Sequence, residues 1–123
     1  MADRPAIKGD QPSFSPPLNE FLRWVPDLYI HSDGSISPGA FSNTSGTERM
    51  SVNWAALSSV QDTLAGRENC GVVSITSEFC MDLYQEIERT PTKDNAAHCD
   101  VVGHKPTSVK RKLAQAAKWL YRP

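Results

Sequence analysis

The densest set of reactive side chains in this 123-residue chain runs from Asp94 through Asn95, His98, Cys99 and Asp100 to His104. A histidine near a carboxylate can be oriented as a general acid or base, and a nearby amide can place a water or a carbonyl. His98 with Asn95 and Asp94 is therefore the candidate catalytic set, and hydrolysis or group transfer is the chemistry it would serve. The same residues also suit a plain structural role. Asx-rich turns such as the one after Pro91 satisfy their own backbone, and a histidine opening a strand is commonly a hydrogen-bonded strut. The spacing fixes no nucleophile and no second base.

Other chemistries find less footing. On a strand His98 and Asp100 share a face while Cys99 points away, and no CxxC, HxxxH or HExxH spacing occurs, so no metal site is expected. Ser35, Ser37, Ser42 and Ser45 lie in turn-like sequence without a GxSxG elbow. Neither GxGxxG nor GxxxxGK[ST] is present, and no cofactor is expected. Cys70, Cys80 and Cys99 are odd in number and lack the spacing of a disulfide framework, so reduced thiols are expected, with Cys70 and Cys80 acting as small apolar groups.

Charge gives a second place to look. Residues 1 to 103 hold seven Lys/Arg against fourteen Asp/Glu, whereas residues 104 to 123 hold six Lys/Arg and no acid. An anionic body thus carries a cationic end, which suits an anionic partner or docking of the tail on its own body. Lys110, Arg111, Lys112 and Lys118 are the candidate binding residues there. Arg111, Lys118 and Arg122 project onto one stripe if the helix continues to the end. Arg23 beside Trp24 is a further candidate for holding an anion.

These residues need elements to position them. Residues 1–17, with four prolines, read as a flexible arm, and residues 18–123 as a single domain. Leu18, Phe21, Leu22 and Val25 recur at helical spacing before Pro26, which favours a short helix or turn, with entry into a strand as the alternative. Leu28 to Ile30 reads as a short strand turning through Ser32-Asp33-Gly34, so that Ile36 returns alongside. Ser51 to Trp54 is extended, and Ser58 or Ser59 caps a helix that Gly66 ends. The β-branched run Gly71 to Thr76 is a buried strand. Ser77 would cap a helix running to about Arg89, Cys99 to Val102 is extended, and Thr107 or Ser108 opens an amphipathic helix bearing Val109, Leu113, Ala116, Ala117 and Leu120. The fold class is α+β, a small sheet flanked by helices with a basic amphipathic helix at the C-terminal end.

The order Ala40-Phe41, SVNW, GVVSIT and DNAAHCDVVG, closed by a basic helix, resembles a family of small uncharacterised bacterial proteins over roughly residues 20 to 120. The resemblance implies a bacterial origin and a single domain, and carries no activity with it. No run is long enough to span a membrane and residues 1–17 lack an apolar segment for export, so a cytoplasmic protein is expected. The favoured reading is a binding or accessory domain of a bacterial multi-gene system, with a protein partner, an anionic ligand, nucleic acid or a second copy of itself as what it binds. The alternative is a small enzyme acting on a nucleotide-like or other anionic substrate, with His98 as acid or base and Arg23 on the anion. A pocket that joins His98 to a distant Arg or Ser would favour the enzyme.

Overall fold

The computed structural model describes residues 7–8 and 19–123. The elements are β1 (Ile7–Lys8), β2 (Glu20–Pro26), β3 (Arg49–Trp54), α1 (Val60–Leu64), β4 (Cys70–Thr76), α2 (Ser77–Asp82), β5 (Glu86–Arg89), β6 (His98–Val102), α3 (Thr107–Ala116) and β7 (Lys118–Tyr121). The strands form one sheet in the order β1-β5-β6-β3-β2-β4-β7. Two-residue β1 runs parallel to β5, and every other neighbouring pair is antiparallel. With three helices and this sheet the domain is α+β, as its sequence predicts. Of the stretch read as an arm, Ile7–Lys8 pair with Ile87–Glu88; the remainder lies outside the described residues.

Alternation along the strands sorts the sheet into two faces. Phe21, Val25, Met50, Val52, Trp54, Val73, Ile75, Ile87, Cys99 and Val101 are buried in one core. Cross-strand pairs such as Phe21 with Ile75 and Met50 with Val101 keep these side chains on one side. Ile36, Ala40, Phe41 and Leu113 close that core, with α3 packed against a 3-10 turn at Pro38–Phe41. The opposite face carries Leu22, Trp24, Arg49, Ser51, Asn53, His98 and Asp100, as the pairs Leu22–Asn53, Ser51–Asp100 and Asn53–His98 require. Short α1 packs against β2 and β4. Ser59 caps it by accepting from Asp62 N, and Ala65 in left-handed conformation (φ 49°) ends it.

At the middle of the sheet two strands part. β2 and β3 pair only at Phe21–Trp54 and Leu22–Asn53, although β2 stays paired with β4 over all seven of its residues and β3 with β6 over five. The Pro38–Phe41 turn lies beside the opening. Arg23 bridges it, donating from Nε to Ala40 O (2.9 Å) and from Nη1 to Ser51 O (2.6 Å). A carbonyl that would have faced a strand partner receives a guanidinium instead.

Several local expectations are corrected. The segment from Leu18 is not a helix in its described part: residues 20–26 form β2, because pairing with β4 along its whole length, and with β3 at Phe21 and Leu22, buries Phe21, Leu22 and Val25 at once. Leu28 to Ile30 is not a strand. Asp27–Tyr29 make a 3-10 turn, and the expected return survives as a single bridge from Ile30 to Ile36. Thr76, not Ser77, caps α2, accepting from Phe79 N. That helix stops at Asp82 rather than near Arg89, since Tyr84 adopts φ 60° and the chain reverses into β5. Ile87 fits a helical face in sequence and equally fits a core-facing strand position opposite Val101, which is where it is buried.

The C-terminal helix is likewise shorter than its periodicity suggests. It ends at Ala116, Ala117 is extended, and residues 118–121 return as β7 beside β4. Gly71 permits this: a Cβ there would lie 2.5 Å from the Trp119 ring and 2.7 Å from Tyr121 O. Trp119 Nε1 donates to Gly34 O at 3.0 Å, fixing the strand at its other side. Lys118 and Arg122 therefore do not continue a helical stripe with Arg111.

Leu113 and Leu120 separate in consequence, the first wholly buried and the second 47% exposed. Leu113→Ala should cost about 2–5 kcal/mol by urea unfolding, while Leu120→Ala should stay within about 0.5 kcal/mol of the parent, as surface changes do.

Candidate functional site

A cleft of about 380 Å³ opens on the polar face where β2 and β3 part, and His98 lies in its wall. β2 supplies Leu22 and Trp24, β3 supplies Ser51 and Asn53, α1 and the turn after it supply Asp62, Thr63 and Arg67, and the turn before β6 supplies Asn95. The volume falls in the range of small-ligand sites. Arg67 lays its guanidinium 4.2 Å from the centroid of the Trp24 ring, a cation–π contact at the rim.

His98 is held at both ring nitrogens. Nδ1 lies 3.1 Å from Thr90 O and 2.8 Å from Thr90 Oγ1, and Nε2 lies 3.2 Å from Ser51 Oγ. The Thr90 carbonyl only accepts, so with the proton of neutral His98 on Nδ1 that nitrogen donates to it; the Thr90 hydroxyl can pair with either tautomer. The Nε2 lone pair then faces the Ser51 hydroxyl, which donates to it. Ser51 itself is exposed, and its carbonyl is held from the other face by Arg23.

Beside this pair sits an amide clasp. Asn95 Nδ2 donates to Asn53 Oδ1 (2.9 Å), Asn95 Oδ1 accepts from Ala97 N (3.1 Å), and Asn53 Nδ2 donates to Thr63 Oγ1 (3.2 Å). The three bonds tie the turn before β6 to β3 and β3 to α1. They shape the cleft, and each amide keeps part of its donor and acceptor capacity beyond these bonds.

The candidate residues are thus divided. His98 and Asn95 line one cleft, whereas Asp94 lines a neighbouring depression with Ser58 and Gln61. Arg23 does not line the His98 cleft; it enters the parting from the core side and faces a separate cavity of about 240 Å³ with Tyr29, Ser42 and Asn43. Burial draws its guanidinium down to about 10, so it stays charged at neutral pH, and it has no carboxylate partner among the described residues. Lys110, Arg111 and Lys112 share α3, with Arg111 and Lys112 exposed, and Lys118 belongs to β7. All three cysteines are buried and unpaired. Burial pushes Cys80 up to about 12 and Cys99 up to about 11, which leaves them as thiols. Among the described residues no group of three His, Cys, Asp or Glu is placed to hold a metal ion.

No protein-family model, curated protein or solved structure gives a significant match to this chain. The site therefore has to be read from its own geometry. Ser51, Asn53, Trp24 and Arg67 were not legible as partners of His98, because their meeting depends on the β2–β3–β6 register. Alternation alone places Ser51 and Asn53 on one face of β3, which is the only part of the signal present in the sequence. A cross-strand cluster was equally hidden: Arg49 Nη1 lies 2.6 Å from Glu88 and 2.9 Å from Asp100, and the three charges share the sheet face with Ser51.

One basic residue of the C-terminal end is no surface charge at all. Lys105 is 5% exposed, and its Nζ donates to Asn43 Oδ1 (2.6 Å), Val101 O (2.8 Å) and Gly103 O (3.2 Å). Burial lowers its titration from 10.5 to about 8. The unfolded chain consequently binds more protons between pH 8 and 10.5, and the contribution of Lys105 to stability rises with pH across that window. Cys80 and Cys99 act in the opposite sense above pH 9, their raised folded values removing stability as pH rises. Urea midpoints of the parent and of Lys105→Met, taken from pH 7.5 to 10.5, should therefore diverge in favour of the parent as pH rises; parallel profiles would show that Lys105 titrates as an ordinary lysine.

Proposed function

We propose that this chain binds a nucleotide-sized, planar, anionic small molecule in the His98 cleft, with His98 available to it as acid or base. The observation that carries the reading is the convergence in one cleft of His98 with Ser51 and Arg67, residues distant in sequence, beside a part-exposed tryptophan. Trp24 offers a ring for stacking, Arg67 an anion contact, and Asp62 an acceptor for hydroxyl or amino groups. A long polyanion suits this face poorly, because Glu88 and Asp100 stand over Arg49 on the same side of the sheet. A monomeric ligand needs only the cleft.

Nucleoside monophosphates are the probe to use, read by tryptophan fluorescence and by thermal unfolding. Base stacking on an aromatic residue contributes about 1–3 kcal/mol. Trp24→Ala and Arg67→Ala should each weaken binding by about tenfold or more; Arg67 is exposed and its loss should change the unfolding midpoint little, whereas loss of Trp24, 36% exposed, should also lower it. If no purine or pyrimidine nucleotide at millimolar concentration shifts either signal, the reading fails.

A second reading rests on α3, whose Lys110, Arg111 and Lys112 stand in one turn with no acid in the helix. This surface suits an anionic protein partner. Replacing the three by Gln should weaken such an association most at low ionic strength, because salt already screens it at high. Pull-down and light scattering across a salt series, beginning with self-association, check it.

A further inference from the structure

We propose that Ser51 is a nucleophile, that His98 is its general base, and that the cleft carries out acyl transfer from a carboxylic ester. The inference rests on the cleft being a ligand site and adds the reaction that the site performs. Three features of the geometry carry it. Ser51 Oγ lies 3.2 Å from His98 Nε2, within the looser reach usual when no substrate is bound. His98 Nδ1 is bonded to Thr90 O and Thr90 Oγ1, at 3.1 and 2.8 Å, and the carbonyl is a ready acceptor for an Nδ1 proton in the tautomer whose Nε2 can accept one. Ser51 is exposed and lines the cleft, so an ester has access to its hydroxyl.

The Thr90 oxygens take the place that a carboxylate holds in a Ser-His-Asp array. They fix the imidazole plane and, once Nε2 is protonated, accept from the positive ring through Nδ1. Arg23 is a positioning residue. By holding Ser51 O from behind at 2.6 Å it sets the backbone of β3 at the point where β2 no longer pairs with it. In an antiparallel strand the N–H and C=O of a residue turn to the same side, so Ser51 N–H faces the same opening as its carbonyl. A carbonyl oxygen that gains charge during attack at Ser51 Oγ would meet this N–H, the donor type that such intermediates require.

The reaction balances without a further reagent. The Ser51 O–H bond breaks as Oγ bonds to the ester carbon, and the proton moves to His98 Nε2. The bond from carbon to the leaving oxygen then breaks, and the leaving alcohol takes the proton from Nε2, leaving acyl-Ser51. A water next gives a proton to Nε2 and adds to the acyl carbon. The acyl–Oγ bond breaks, Ser51 recovers the proton, and a carboxylic acid departs.

Two probes test this on the full chain: a fluorophosphonate, followed by intact mass and peptide mapping, and 4-nitrophenyl acetate, followed by release of nitrophenolate. The fluorophosphonate should add once, at Ser51, and the ester should give a burst close to one equivalent. Both signals should vanish in Ser51→Ala, which removes an exposed hydroxyl and its bond to His98 Nε2 and should shift the unfolding midpoint little. His98→Gln should slow labelling at least tenfold. Because that variant also loses the bonds to Thr90, labelling of the parent in unfolding urea is the companion measurement and should fall to the rate of free serine. Absence of a Ser51 adduct on the folded parent, labelling that survives urea, or an undiminished rate in a folded His98→Gln protein overturns the proposal. Nucleotide binding that persists while Ser51 stays unlabelled would remove the nucleophile and leave the ligand site standing.

Discussion

The parting of β2 from β3 is the constraint on which the rest of the molecule depends. A sheet whose central strands stayed paired throughout would present a closed polar surface at Leu22–Trp24 and Ser51–Asn53. Instead the two strands share two residue pairs and then separate, with Arg23 spanning the gap to Ala40 O and Ser51 O. The bridge satisfies the Ser51 carbonyl, which the separation leaves without a strand partner, and ties it to the carbonyl of Ala40 in the neighbouring turn. It also leaves a charged group in a largely apolar setting, and burial opposes that charge, which is why its titration is drawn down to about 10. The cleft at His98 lies on one side of this parting and the Arg23 cavity on the other.

Polar groups on the two sides are handled differently. On the core side Arg23 and Lys105 each donate to neutral oxygens, among them Ala40 O and Ser51 O for the first and Asn43 Oδ1 for the second. Neutral acceptors satisfy donors without cancelling charge, so both cations are held by geometry rather than by pairing. On the open side the charges are paired, Arg49 with Glu88 and Asp100. The amides of Asn53 and Asn95 are bonded to each other and to their neighbours. The Ser51 hydroxyl, the His98 ring, Asp62 and the Trp24–Arg67 stack line the cleft together with these amides.

How much of this was legible in the sequence varies with the range of the interaction. The β-branched run 71–76 is written in local chemistry and is a strand; of the two caps offered, Ser58 or Ser59, the structure uses Ser59, and of the two starts offered for α3, Thr107 or Ser108, it uses Thr107. Residues 86–89 and 118–121 continue a helical spacing in sequence, yet they form strands because β6 and β4 offer them partners that no local window reveals. His98 could be singled out from its neighbours. Ser51 could not, since its proximity comes from a register between strands 47 positions apart in the chain. Arg23 was legible as an unusual residue, but the face on which it acts was not, because the segment read as well for a helix as for a strand.

β7 carries a consequence for the behaviour of the chain in solution. Residues 118–121 pair with the middle of the outer edge of β4, at Val72 to Ser74, and β4 is Cys-Gly-Val-Val-Ser-Ile-Thr, uncharged, rich in β-branched residues and buried along nearly its whole length. A segment of that kind, once its edge is bare, is a template for pairing between molecules rather than within one. Lys118 at the start of the covering strand and Arg122 just beyond its end put cations at that margin. The last strand of the fold therefore acts as a guard against aggregation, and opening it would expose the most adhesive strand of the sheet.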